Sequence, residues 1–108
     1  MKLVNRGFLL VKPKKEFIAL ALSVNPELLL DEDAEGTTYL IEEEFWDDEL
    51  LIEKYAKKIW TQEFQAILEG NSEIQPPTFS GNLNEFFSIE LGCTVIDLLK
   101  DPISKEEL

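Results

Sequence analysis

The chain has 108 residues, which fits one domain over 1–108, and 44% of them are apolar, which is enough for one modest core and excludes a disordered chain. Its 10 Lys plus Arg against 22 Asp plus Glu give a net charge of −12, which disfavours binding to nucleic acid or to an anionic membrane. The single Cys and the absence of His exclude a disulfide framework and a Cys/His zinc site, so a cytoplasmic protein without a cofactor is expected.

The first half of the chain predicts a strand, a helix and a second strand. A short apolar run favours a strand near 7–12, closed by Pro13, which cannot donate to a sheet ladder. Apolar residues at helical spacing then indicate a helix near 14–25. After an acidic turn, β-branched and aromatic residues are typical of a second strand near 37–43.

The second half predicts a long helix, a short helix and a third strand. Acidic residues at the N-terminal end and Gly70 at the C-terminal end bound a periodic segment near 48–69. Ser80 is a suitable cap for a short helix near 80–86. Apolar and polar residues alternate near 87–97, which favours a strand with Cys93 on its buried face, although the apolar residues of 87–99 also fit a helical stripe.

Three strands interleaved with helices predict an α+β fold, a small two-layer sandwich in which the helices cover one face of the sheet. The polar tail 101–108 is expected to fray.

Glu63 stands out because it falls at the centre of the apolar stripe of the predicted long helix. A buried carboxylate needs a partner. The favoured interpretation is structural: an ion pair with a lysine such as Lys12 or Lys14, or a side chain that reaches solvent at the edge of the core. The alternative is a carboxyl group whose pKa is raised by burial and which serves as the general acid of a small hydrolase.

A calcium site is a second possibility, raised by the spacing of four acidic residues. Asp31, Asp33, Glu35 and Glu42 occupy positions 1, 3, 5 and 12 of a twelve-residue loop with Gly36 at position 6, as in an EF-hand. The strand-like character of 37–41 opposes this and favours an ordinary acidic turn.

An acidic patch interrupted by two aromatic residues comes before the predicted long helix. The patch consists of Glu42, Glu43, Glu44, Phe45, Trp46, Asp47 and Asp48. Exposed aromatic residues within a charged run often anchor a partner, which would here be a basic protein. The alternative is that Phe45 and Trp46 turn inward as a hydrophobic staple at the start of the helix.

Several short segments are similar to those of a known group of proteins. They are Val11-Lys12-Pro13-Lys14, Thr38-Tyr39-Leu40-Ile41, Glu63, Phe87-x-Ile89-Glu90 and Asp97-Leu98. In their order along the chain they resemble a group of small acidic bacterial proteins without an assigned activity. The resemblance implies a stand-alone cytoplasmic bacterial protein and points to Lys12 and Glu63 as positions to test. It also weakens the hypothesis of a calcium site, because the group lacks the calcium-like loop.

The sequence has no Gly-rich phosphate loop, no nucleophile elbow and no pair of metal-binding histidines. The resulting prediction is a non-enzymatic acidic protein-interaction module of the inhibitor, immunity or adaptor type. The alternatives are a calcium-binding domain that uses the 31–42 loop and a small hydrolase that uses Glu63.

Overall fold

The structure, a computed structural model, describes residues 1–30, 35–68 and 74–108. The strands are β1 (Lys2–Val4), β2 (Gly7–Pro13), β3 (Thr37–Ile41), β4 (Phe87–Gly92) and β5 (Val95–Asp97). The helices are α1 (Lys15–Val24), α2 (Asp48–Leu68) and a short 3-10 helix, Leu83–Glu85. The predicted α+β class is confirmed, and both long helices begin and end within one residue of the predicted bounds.

The main sheet is antiparallel, with β2 between β3 and β4. Leu9 in β2 lies opposite Tyr39 on one side and Leu91 on the other. Leu9 and Val11 are completely buried whereas Lys12 is exposed, because successive side chains of a strand point to opposite faces. One face of the sheet therefore contributes to the core.

An aromatic cluster centred on Trp60 of α2 dominates the core. Its ring centroid lies 4.9 to 6.4 Å from those of five phenylalanines, namely Phe17, Phe64, Phe79, Phe86 and Phe87. The indole Nε1–H of Trp60 donates to the carbonyl oxygen of Pro77 at 2.7 Å. The cluster thus joins α1, α2, the start of β4 and the loop before the 3-10 helix.

The predicted third strand, 87–97, is two strands in the structure. β4 pairs with β2, and β5 pairs with β1, a strand that the sequence analysis missed. Val4 faces Val95, and Phe8 faces Gly92. Between these two pairs, the three residues 5–7 lie opposite the two residues 93 and 94, as in a bulge. Cys93 lies in this interruption and is exposed, so its predicted burial is wrong.

Two further bounds differ from the prediction. The helix expected near 80–86 is only the short 3-10 helix, and its cap is Asn82, whose Oδ1 accepts from the Asn84 N–H at 3.0 Å, rather than Ser80. β3 ends at Ile41 instead of residue 43. The tail 101–108 is exposed and has no regular secondary structure.

Within the described ranges, no helix combines the length and the apolar character needed to cross a bilayer.

Candidate functional site

The side chain of Glu63 lies between α2 and β3 and is 8% exposed. Thr37 and Tyr39 are two residues apart in β3, so both point toward α2. The Tyr39 hydroxyl donates to Glu63 Oε2 at 2.9 Å, and the Thr37 hydroxyl donates to the same oxygen at 3.1 Å. The carboxylate is therefore held by two neutral hydroxyl donors.

Burial and hydrogen bonding act in opposite directions on the pKa of Glu63. Loss of hydration raises the pKa above its ordinary value of 4.5, while the hydroxyls of Tyr39 and Thr37 oppose this by stabilising the charged form. Burial also raises the pKa of Tyr39, and the nearby negative charge of Glu63 raises it further. Tyr39 consequently stays a neutral donor, and Glu63 is harder to ionise than an exposed glutamate.

The expected ion pair between Glu63 and Lys12 or Lys14 is not formed. Among the described residues, the one ion pair joins Lys54 to Glu42. Lys12 is exposed in β2, on the face of the sheet that points away from α2, and Lys14 Nζ donates to the carbonyl oxygen of Asn84 at 2.6 Å. Strand alternation explains the error for Lys12, because its neighbours Val11 and Pro13 occupy the inner face.

Glu63→Gln is expected to change how stability depends on pH. Folding raises the pKa of Glu63, so protonated Glu63 stabilises the folded state. This contribution is complete below about pH 4.5 and is lost as the pH rises through the pKa of the folded protein. Chemical denaturation of wild type and Glu63→Gln across this window should show that the variant lacks this loss. Glu53→Gln, an exposed change on the same helix, is the control and should follow wild type. Parallel wild-type and Glu63→Gln curves would contradict the assignment.

The twelve-residue calcium loop is not formed by the residues that the structure describes. Residues 37–41 are a paired strand, which at ~3.3 Å per residue holds its two ends about 13 Å apart. Glu35 precedes this strand and Glu42 follows it, so the two cannot share one ion with ligand distances of about 2.3–2.6 Å. Asp31 and Asp33 lie outside the described residues.

Glu42 has a different role, because two side chains of α2 hold its carboxylate. Lys54 Nζ lies 2.8 Å from Oε2, and the Tyr55 hydroxyl donates to Oε1 at 2.6 Å. The hydrogen bond from Lys54, and to a smaller extent that from Tyr55, lowers the pKa of Glu42 to about 2. Glu42 therefore fixes the end of β3 to the first half of α2.

The two aromatic residues of the acidic patch point in different directions. Phe45 is partly buried against the core, whereas Trp46 is completely exposed. A Cβ atom on Gly7 would lie 3.3 Å from Phe45 Cε1 and 2.8 Å from the Glu42 carbonyl oxygen, so glycine allows this segment to approach β2 closely. Phe45 therefore turns inward, as one of the two interpretations of the patch expected, and Trp46 is exposed, as the other expected.

The start of α2 positions Trp46 and the acids around it. Asp47 caps the helix, because its Oδ1 accepts from the Leu50 N–H at 3.1 Å. Trp46 comes directly before this cap and does not pack on Leu51 as a staple would, since Leu51 is buried and Trp46 is fully exposed. The exposed acids around the indole are Glu43, Glu44, Asp47, Asp48 and Glu49.

Sequence reasoning missed Thr37 and Tyr39 as partners of Glu63. Their spacing of two residues placed both on one face of a predicted strand, which was a usable signal. The face that meets α2 could not be chosen from periodicity alone, because Thr38 and Leu40 form an equally regular set.

Comparison with protein-family models, with curated proteins and with solved structures finds no match to this chain.

Proposed function

We propose that this chain is a non-enzymatic protein-interaction module that binds a basic protein through the acidic patch, with Trp46 as the anchor. The observation that carries the proposal is the complete exposure of Trp46 among exposed carboxylates. The exposed indole lacks the burial that stabilises most tryptophans, and a partner that covers it would supply that burial, as tryptophans at protein interfaces do.

The charge around Trp46 defines the chemistry of the partner. Within the described ranges, the one ion pair uses Glu42, so the other acids of the patch form no ion pair with a lysine or arginine of the chain. Uncompensated charge of one sign attracts the opposite charge from a distance and speeds association. An arginine of the partner could also stack on the exposed indole, since guanidinium groups pack well on aromatic faces. A partner surface rich in arginine and lysine fits this patch best.

Quantitative affinity capture tests the proposal. Immobilised wild type, Trp46→Ala and Leu29→Ala are exposed to the same lysate at physiological salt, and bound proteins are compared by mass spectrometry. Leu29 is 99% exposed and lies outside the patch, so its variant controls for loss of an exposed apolar side chain. We expect a basic protein that wild type and Leu29→Ala retain and Trp46→Ala loses. The same bound proteins on all three columns would contradict the proposal.

The hydrolase alternative remains a prediction. The raised pKa of Glu63 suits a general acid. The hydroxyls of Thr37 and Tyr39, however, both donate to its carboxylate, so neither accepts a proton from it. The acidic patch has the more specific support.

A further inference from the structure

A cavity of about 200 Å³ lies between α1 and α2 beside the Glu63 carboxyl group. Most of the lining that the described residues provide is apolar and comes from Pro13, Phe17, Ile18, Leu30, Ala66 and Ile67. The polar residues that line it, among those that the structure describes, are Glu63, Thr37 and the exposed Glu35. The cavity is smaller than the roughly 300–1,000 Å³ of pockets for drug-sized ligands, so only a small molecule fits.

No side chain of this protein supplies a positive charge to Glu63. All ten Lys and Arg residues lie in the described ranges, since 31–34 and 69–73 contain none. The one ion pair that these ten residues form in the described structure joins Lys54 to Glu42. Glu63 is thus a buried acid beside a cavity without a cation from its own chain.

The hydrogen bonds that the described residues make to Glu63 leave room for a ligand. A carboxylate offers about four acceptor positions. Oε2 accepts from Tyr39 and Thr37, whereas the contact of Oε1 with the Thr37 hydroxyl is long, at 3.4 Å. Burying a carboxylate without a countercharge is costly, and a cation with several N–H donors would offset part of that cost and fill the open positions.

We propose that this cavity binds a primary ammonium group on a short alkyl chain, with the ammonium against Glu63 and the chain against Phe17, Ile18 and Ile67. The ammonium supplies up to three donors and the missing charge. The apolar walls exclude water from the alkyl chain and strengthen the ion pair by lowering the local dielectric. The cavity lies at the C-terminal half of α2, about 25 Å along the helix from Trp46 at 1.5 Å per residue, so this proposal does not depend on the acidic patch.

Calorimetric titration with n-butylammonium chloride tests the proposal, with 1-butanol as the neutral analogue. Wild type should bind butylammonium saturably and more tightly than butanol. Glu63→Gln keeps the shape and the acceptor but removes the charge, so it should bind butylammonium about tenfold or more weakly. Glu53→Gln, on the exposed side of the same helix, should bind like wild type and controls for the general negative charge.

A second variant separates the cavity from the carboxylate. Ala66→Leu adds a good helix former at an exposed lining position, so the fold is retained while the cavity narrows and butylammonium binding is lost. Nα-acetyl-lysine amide is titrated in parallel, because the same ammonium could come from a lysine of a protein; its binding would assign that source, and binding of butylammonium alone would assign a free amine. Equal binding by wild type and Glu63→Gln, equal affinity for butanol, or no saturable binding of either amine would overturn the proposal.

Discussion

Trp46→Ala should weaken binding of the captured basic partner by about 2 kcal/mol, roughly 30-fold, and leave the stability of the protein unchanged. The indole is completely exposed in the free protein, so its removal breaks no internal contact. In a complex the same indole would be desolvated and surrounded by contacts that exclude water, which is the typical setting of a binding hot spot. Calorimetry of the purified pair measures the affinity, and thermal unfolding measures the stability.

Leu29→Ala is the matched control for this prediction, because it removes an equally exposed apolar side chain outside the patch and should change neither quantity. An affinity of Trp46→Ala within a factor of two of wild type, within roughly 0.4 kcal/mol, would contradict the role of Trp46.

The other tryptophan should behave in the opposite way. Trp60→Ala is expected to lower the free energy of unfolding by about 3–5 kcal/mol, a large part of the total of about 5–15 kcal/mol for a domain. Trp60 is 3% exposed, contacts five phenylalanine rings and donates to the Pro77 carbonyl oxygen. Urea denaturation followed by circular dichroism measures the change without relying on tryptophan emission.

Trp60→Phe separates packing from hydrogen bonding. It keeps an aromatic ring but leaves the Pro77 carbonyl without its donor, so a smaller loss of about 1–3 kcal/mol is expected. Trp46→Ala should unfold within about 0.5 kcal/mol of wild type and serves as the exposed control. An unfolding midpoint of Trp60→Ala equal to that of wild type would show that the aromatic cluster does not hold this core together.

The elements that sequence reasoning located correctly are those with strong local signals. α2 is long and periodic and has an acidic cap at Asp47, so both its existence and its start were predictable. Pro13 marked the end of β2, because a proline cannot continue the ladder.

The elements that sequence reasoning missed depend on contacts between distant segments. β1 is three residues long and exists because it pairs with β5, more than ninety residues away. The exposure of Cys93 follows from the bulge between these paired segments, which alternation within one strand does not reveal.

The candidate site shows the same division. The position of Glu63 in the apolar stripe of α2 predicted its burial, and the structure bears this out. The predicted lysine partners of Glu63 were wrong, because its actual partners, Thr37 and Tyr39, reach it only through the packing of β3 on α2. The opposite orientations of Phe45 and Trp46 likewise depend on the close approach of residues 42–45 to Gly7, which is a tertiary contact.

The most direct test of the proposed interaction is acrylamide quenching of Trp46 fluorescence in the free protein and in its complex with the captured partner. The emission of Trp46 is obtained as the difference between wild type and Trp46→Phe, because both proteins contain the other tryptophan of the chain, the buried Trp60. We expect Trp46 to be readily quenched in the free protein and strongly protected in the saturated complex. Equal quenching of Trp46 in the free protein and in the saturated complex would contradict the account.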